Sequence, residues 1–293
     1  MMTSPLSLGS YGGGWDYYKD RKLYDVSRDA IDPFYSFDTT QGPPDTTVLI
    51  GVRLTALVIV DMQNFFLHPR CNDYPEGREA AERVLEVIAK CRELKIQIIW
   101  LNWGLTEQDI RTMPPAVDRS FASQLMNEKE DGKMPEGTGQ SRRGLGSDMG
   151  SGRGKLLKAD SWNAELYDPL LQVSDNMQDI FCDKNRMSGL WSETTELHQA
   201  IEGEFVTLLF AGVNTDQCVL GTLVDAYNRG FDCVMLDDCC ATKTPGGKES
   251  TIWNVSRSYG FVTDSKSFCN GVGFETEGEK LSFLGVPKDS DAS

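Results

Sequence analysis

Between residues 55 and 264, short apolar runs rich in β-branched side chains alternate with stretches of helical periodicity, and few folds can satisfy that alternation. The first run, ALVIV at 56–60, is apolar on both strand faces, as a parallel strand covered by helices from both sides requires. EGREAAERVLEVIAKCREL, 76–94, sets Ala80, Val84, Val87, Ile88 and Cys91 along one side of a helix, and IQIIWLNW, 96–103, is the next buried strand. The series resumes with WNAELYDPLL as a helix, a strand near DIFCDK, and a helix in SETTELHQAIEG. It ends with the strand EFVTLLFAG (204–212), the helix TDQCVLGTLVDAYNRG (215–230), the strand FDCVMLDD (231–238), a helix in KESTIWNVSRSYG and the short strand FVTD. This pattern predicts an α/β fold with a doubly wound, mostly parallel sheet and helices on both faces.

Two stretches break the pattern. Residues 1–48 carry no clear helical or strand period and read as an N-terminal extension to a main domain spanning 49–293. They include Trp15, Tyr17, Tyr18, Tyr24, Phe34, Tyr35 and Phe37, too many aromatics for a solvated tail, so they need a surface to cover. That surface is either the chain's own core or a neighbouring subunit. Residues 104–155 form a long insertion, and GKMPEGTGQSRRGLGSDMGSGRGK within it has almost no apolar side chain. It reads as a surface loop, a lid or an interface arm.

Composition excludes several function classes. With 29 basic against 44 acidic residues the net charge is −15, which repels polyanions such as nucleic acid. The opening MMTSPLSLGSYGGGWDYY lacks the charged and apolar regions of a signal peptide, and no apolar run is long enough to span a membrane. A soluble, cytoplasmic protein is expected. Eight cysteines without a CxxC pair suit a reducing compartment, and two histidines, His68 and His198, supply neither a histidine-rich zinc site nor a Ser-His-Asp triad.

Open parallel sheets bind ligands beyond the carboxyl ends of their strands, which singles out Asp61 after LVIV, Lys184 after IFCD and the GVNTDQC turn carrying Cys218. Cys218 sits at a strand-to-helix elbow, with Thr215 placed as a helix cap and Asp216 in the first turn. The helix dipole and free N–H groups there predict a lowered thiol pKa and a seat for an oxyanion. Read singly, each residue also has a plainer role: a packed thiol, a structural ion pair, a surface lysine. Read together, they form a working set. The carboxylate takes the thiol proton and returns it to a leaving amine, and the ammonium stabilises both anions.

ALVIVDMQNFF, CDKNRMSGLW and LLFAGVNTDQCVLGTLVDAYNRGFDCVMLDDCCA resemble, in order and spacing, the three signature blocks of the isochorismatase-like cysteine hydrolases. The resemblance covers about residues 53–265. It implies a single Rossmann-like domain with a six-stranded parallel sheet, Asp61 as general acid and base, Lys184 as electrostatic partner and Cys218 as nucleophile. It also implies a cis peptide between Val213 and Asn214, an oxyanion hole formed by the amides of Asn214 and Cys218, and assembly as a homodimer or homotetramer. Nicotinamidase-like members hold a metal through an Asp-x-His motif. Here the corresponding stretch reads WLNWGL, so no metal and no other cofactor is expected. Retention of the thiol points to C–N bond cleavage in a small amide or ureide through a thioester, with vinyl-ether hydrolysis of isochorismate as the alternative. A non-enzymatic binding module and a nucleotide-binding protein fit less well, since the triad is intact and no G-x-G-x-x-G follows the first strand. Phe65, Asn102, Trp103, Trp162, Arg186 and Trp191 are the candidate substrate contacts, Arg186 as a bidentate grip on a carboxylate. The tryptophans equally suit core packing and Arg186 a structural ion pair.

Overall fold

The computed structural model describes residues 4–9, 13–43, 46–126 and 144–286; residues 127–143 of the expected insertion lie outside them. The N-terminal segment contributes β1 (Leu6–Leu8), β2 (Trp15–Tyr18), β3 (Leu23–Asp25), β4 (Phe34–Asp38) and β5 (Thr47–Gly51). The alternating region supplies β6 (Thr55–Val60), β7 (Gln97–Trp103), β8 (Ile180–Lys184), β9 (Thr207–Val213), β10 (Asp232–Ala241) and β11 (Phe261–Thr263), and β12 (Val272–Phe274) follows.

Strands β6 to β11 form the expected six-stranded sheet, parallel at every pairing, in the order β11-β10-β9-β6-β7-β8. The first strand of this series lies in the middle. The chain winds outward to β8, then crosses back to start β9 on the other side of β6. Right-handed crossovers running in opposite directions place the helices on opposite faces. A crevice opens where the direction reverses, between the carboxyl ends of β6 and β9. Every residue of β6 and of β9 is buried, as their apolar faces demand.

Helix Pro75–Leu94 begins with proline at its first turn and stops at Lys95, which takes a left-handed φ of 63° and returns its N–H to Cys91 and Arg92 carbonyls. The helices expected over 215–230 and 248–260 each contain a π-helical turn, Thr215–Val219 before Leu220–Asn228 and Val255–Tyr259 after Gly247–Asn254. WNAELYDPLL, expected as one helix, is split into a 3₁₀ turn at Trp162–Ala164 and a single turn at Asp168–Leu171.

The N-terminal segment differs from the patternless wrap that its sequence suggests. It folds into a second six-stranded sheet, ordered β1-β2-β3-β5-β4-β12, mostly antiparallel with one parallel pair between β3 and β5. Alternation is present but masked, because both faces are covered. Tyr35, Phe37, Val48 and Ile50 join the main core, while Phe34 and Leu49 turn to a small cluster with Leu23, Phe274 and Leu284. The aromatics therefore cover the chain's own core. Trp15 and Tyr24 lie 5.4 and 5.3 Å from the Phe261 ring, and Tyr35 and Phe37 lie 5.6 and 5.4 Å from Phe268.

The flanks of the insertion are also better packed than their polarity suggests. Helices Glu107–Thr112 and Pro115–Met126 lie on its incoming side. Leu105, Leu145 and Leu157 are fully buried, and Leu105 pairs through its backbone with Leu157 and Ala159.

A polar clasp joins the two sheets. Arg28 donates from Nε and Nη2 to the Asp232 carboxylate at 2.9 and 2.5 Å, and Trp15 Nε1 donates to the same group at 2.8 Å. Asp232 is 2% exposed, so removing its cation leaves a buried carboxylate unpaired. Arg28→Ala is expected to cost about 2–4 kcal/mol, below the cost for a fully buried pair because the guanidinium is partly exposed. Adding Asp232→Asn should recover part of the loss, read from the midpoint of urea unfolding at constant slope. Equal destabilisation in the single and double variants would show that the clasp acts only through packing.

Candidate active site

Asp61 leaves β6 at the crevice with a left-handed φ of 54°, a conformation that aspartate adopts more readily than most side chains. Its N–H is held by Leu101 O at 2.9 Å, which turns the carboxylate inward, where it is fully buried. Lys184, the last residue of β8, extends its ammonium to 2.9 Å from Asp61 Oδ2, and neither side chain is exposed. The same Nζ lies 3.5 Å from Cys218 Sγ and 3.3 Å from the Arg186 carbonyl. Cys218 is in the π-helical turn that follows β9, and the Val213–Asn214 peptide before it is cis, as the resemblance implied. Three strand ends distant in sequence thus bring the three groups together.

Burial sets the protonation states. It pushes the Cys218 thiol up to about 12, and the Asp61 carboxylate beside it pushes the same way against the Lys184 ammonium. The lowered thiol pKa expected from the helix dipole is therefore not found, because the sulfur is 3% exposed and desolvation outweighs the dipole. Nor does Thr215 cap the helix. It lies inside the turn with its hydroxyl buried and unpartnered among the described residues. Burial also raises the pKa of Asp61, opposed chiefly by Lys184. The thiol rests in its neutral form, 3.5 Å from Lys184 Nζ, which in turn lies 2.9 Å from Asp61 Oδ2.

The candidate contacts divide. Trp103 is buried beneath the triad, with Lys184 Nζ 4.1 Å from its ring centroid, so it forms the floor of the site. Phe65 lies beside Phe121, whose ring meets Trp103 edge-on at 5.0 Å. Asn102, 9% exposed, leaves its Oδ1 buried without a hydrogen-bond partner among the described residues. Arg186 has no carboxylate within ion-pair distance among the described residues. It donates to Asn185 O at 2.7 Å and covers the Trp191 ring at 4.9 Å. Trp191 is otherwise largely exposed. Trp162 sits under Arg70 and edge-on to His68, beside a separate cavity of about 320 Å³ that no triad residue lines. Among the described residues no three His, Cys, Asp or Glu side chains are grouped to hold a metal ion.

Several residues at the site escape sequence reading. Gln63 accepts from Trp103 N at 3.0 Å and donates to Trp103 O and Ala164 O at 2.7 and 2.6 Å, fixing the backbone under Lys184. Its signal is a polar side chain beside the apolar run of β6. Met187 brings its sulfur to 3.3 Å from Cys218 Sγ, and Tyr74 donates to Asn214 Oδ1 at 3.1 Å. Phe121 comes from the insertion, and neither it nor Tyr74 carries a local sequence signal.

Known proteins resemble this chain in sequence and in fold. Ureidoacrylate amidohydrolase RutB of Acinetobacter baylyi is 28% identical over 234 residues, covering 76% of this chain and 85% of that protein. A cysteine hydrolase from Pseudomonas syringae pv. phaseolicola shares the fold at a TM-score of 0.57 and 16% identity, over 75% of this chain and 92% of its own. N-carbamoylsarcosine amidase of Thermoplasma acidophilum shares it at 0.50 and 20% identity, over 72% and 95%. Residues 55–267 match the isochorismatase domain model, and the chain belongs to the isochorismatase family of hydrolases.

Proposed function

We propose that the enzyme cleaves the C–N bond of a small amide or ureide through a thioester on Cys218. The observation that carries this reading is the convergence of an acid–base group, a cation and a thiol, with Nζ 2.9 Å from Asp61 and 3.5 Å from the sulfur. Further support comes from the likeness to an amidohydrolase and an amidase, one in sequence and one in fold. In the first half-reaction the thiol proton passes to Asp61 as sulfur attacks the carbonyl carbon. The amides of Asn214 and Cys218 receive the developing oxyanion, with Tyr74 steadying the Asn214 side chain. Collapse returns the proton from Asp61 to the departing nitrogen and leaves the thioester. Water, deprotonated by Asp61, then releases the acid and restores the thiol.

A screen of small amides and ureides for ammonia release, with isochorismate tested for pyruvate release, identifies the substrate class. Cys218→Ser is expected to lower turnover by roughly three orders of magnitude or more at unchanged fold. Full turnover in Cys218→Ala would instead point to vinyl-ether hydrolysis, which does not need the thiol.

The pH profile tests the base. Asp61 accepts a proton only when ionised, so kcat/KM is expected to rise with pH through a carboxylate titration displaced above the ordinary 3.8. The thiol keeps its proton up to about 12, so a plateau should follow across the neutral and mildly alkaline range. A midpoint at or below the ordinary value would remove Asp61 from this role. Turnover is also expected to survive prolonged dialysis against a chelator; loss restored by zinc would place the enzyme with metal-dependent members.

A further inference from the structure

Trp103 has a buried polar group that the fold itself does not use. Trp103 is 1% exposed, and its indole N–H makes no hydrogen bond, to sulfur included, among the described residues. Leaving such a donor unpaired in an apolar interior costs free energy, so native structures rarely do it without a reason. The π-face of the ring carries the Lys184 ammonium at 4.1 Å, the same ammonium lies 3.5 Å from Cys218 Sγ, and the Trp103 side chain favours the anionic form of that sulfur. Gln63 grips the Trp103 backbone from both sides, which leaves the ring little freedom to turn away.

From this geometry we infer that Trp103 serves the nucleophile directly: its indole N–H donates to the Cys218 sulfur once that sulfur is anionic, and its ring seats the lysine beside it. A neutral thiol is a weak acceptor and gains little from the contact. When Asp61 takes the proton, the sulfur acquires a full charge in a site that excludes water, and a fixed N–H is then worth far more. The proton moves from Sγ to the Asp61 carboxylate, no other bond changes, and the new anion lies between an ammonium at 3.5 Å and the indole donor. The preference is for the anionic state, which is what raises a rate. This inference rests on Cys218 being the nucleophile. It assigns Trp103 to the reacting sulfur, not to the substrate pocket.

The test separates the N–H from the ring. Replacing Trp103 by 3-benzothienylalanine, through a reassigned codon in the full-length chain, keeps the bicyclic shape and the cation–π face and deletes only the donor. Alkylation of Cys218 by iodoacetamide, followed at that peptide by mass spectrometry, then reads thiolate availability without any substrate. Alkylation about tenfold slower than wild type across the neutral and alkaline range is expected, the size of one charge-assisted hydrogen bond. Trp103→Phe should be at least as slow, and Trp253→Phe, on an exposed helix, should match wild type. Wild-type rates in the benzothienyl protein would overturn the inference, including the case where Trp103→Phe alone is slow, since that pattern assigns only packing to the ring. Because the readout is reactivity and not turnover, an active Cys218→Ser enzyme would refute the proposed reaction while leaving this result to stand or fall by itself.

Discussion

A carboxylate and an ammonium in contact, each without exposed surface, are costly to hold inside an apolar sheet. Stripping water from two ions takes several kcal/mol apiece, and their attraction repays this only with good geometry. Asp61 and Lys184 are held in that way, and much of the architecture follows from it. The strand order brings the ends of β6 and β8 to the same edge with β7 between them. The left-handed turn at Asp61 aims the carboxylate inward, and Trp103 provides a face for the cation. Fully buried strands such as β6 and β9 supply the stability against which this cost is set.

The same burial explains why the thiol rests in its neutral form. A sulfur anion in so dry a place has no water to stabilise it, so the proposed reaction needs a base and a set of donors already in position before the proton leaves. Preorganised partners of this kind are more effective than a permanently ionised cysteine, which would be open to oxidation and alkylation. Met187, with its sulfur 3.3 Å from Cys218 Sγ, adds a further cover over the thiol.

Much of this was legible in the sequence, for physical reasons that also explain the failures. Runs such as ALVIV leave a parallel strand buried on both faces as the natural solution, and a charged residue closing such a run has to be paired or used. Asp61 and Lys184 follow from that rule, and Cys218 from its place at a strand-to-helix elbow. The N-terminal sheet did not, since its strands are short and Val48, Leu49 and Ile50 are apolar on both sides, which hides a period of two. The thiol pKa was misjudged because a helix terminus can be recognised from residue types, whereas desolvation depends on neighbours that only the fold supplies. Trp162 and Trp191 were grouped with Trp103 by composition. Their surroundings separate them.

The Gln63 clamp has a consequence for how this scaffold can diversify. Its amide joins Trp103, the residue before the insertion, to Ala164, just after it, and the Leu105–Leu157 backbone pairing lies directly above. Asn163 adds a second knot, receiving the Leu157 N–H and donating to the Arg153 and Lys155 carbonyls. The excursion is therefore tied off at its neck, like a bag closed by a drawstring. Phe121 still packs on Trp103 from within the excursion, but the chain beyond Phe121 can change length, as loop-closure entropy permits, without moving the floor beneath the lysine.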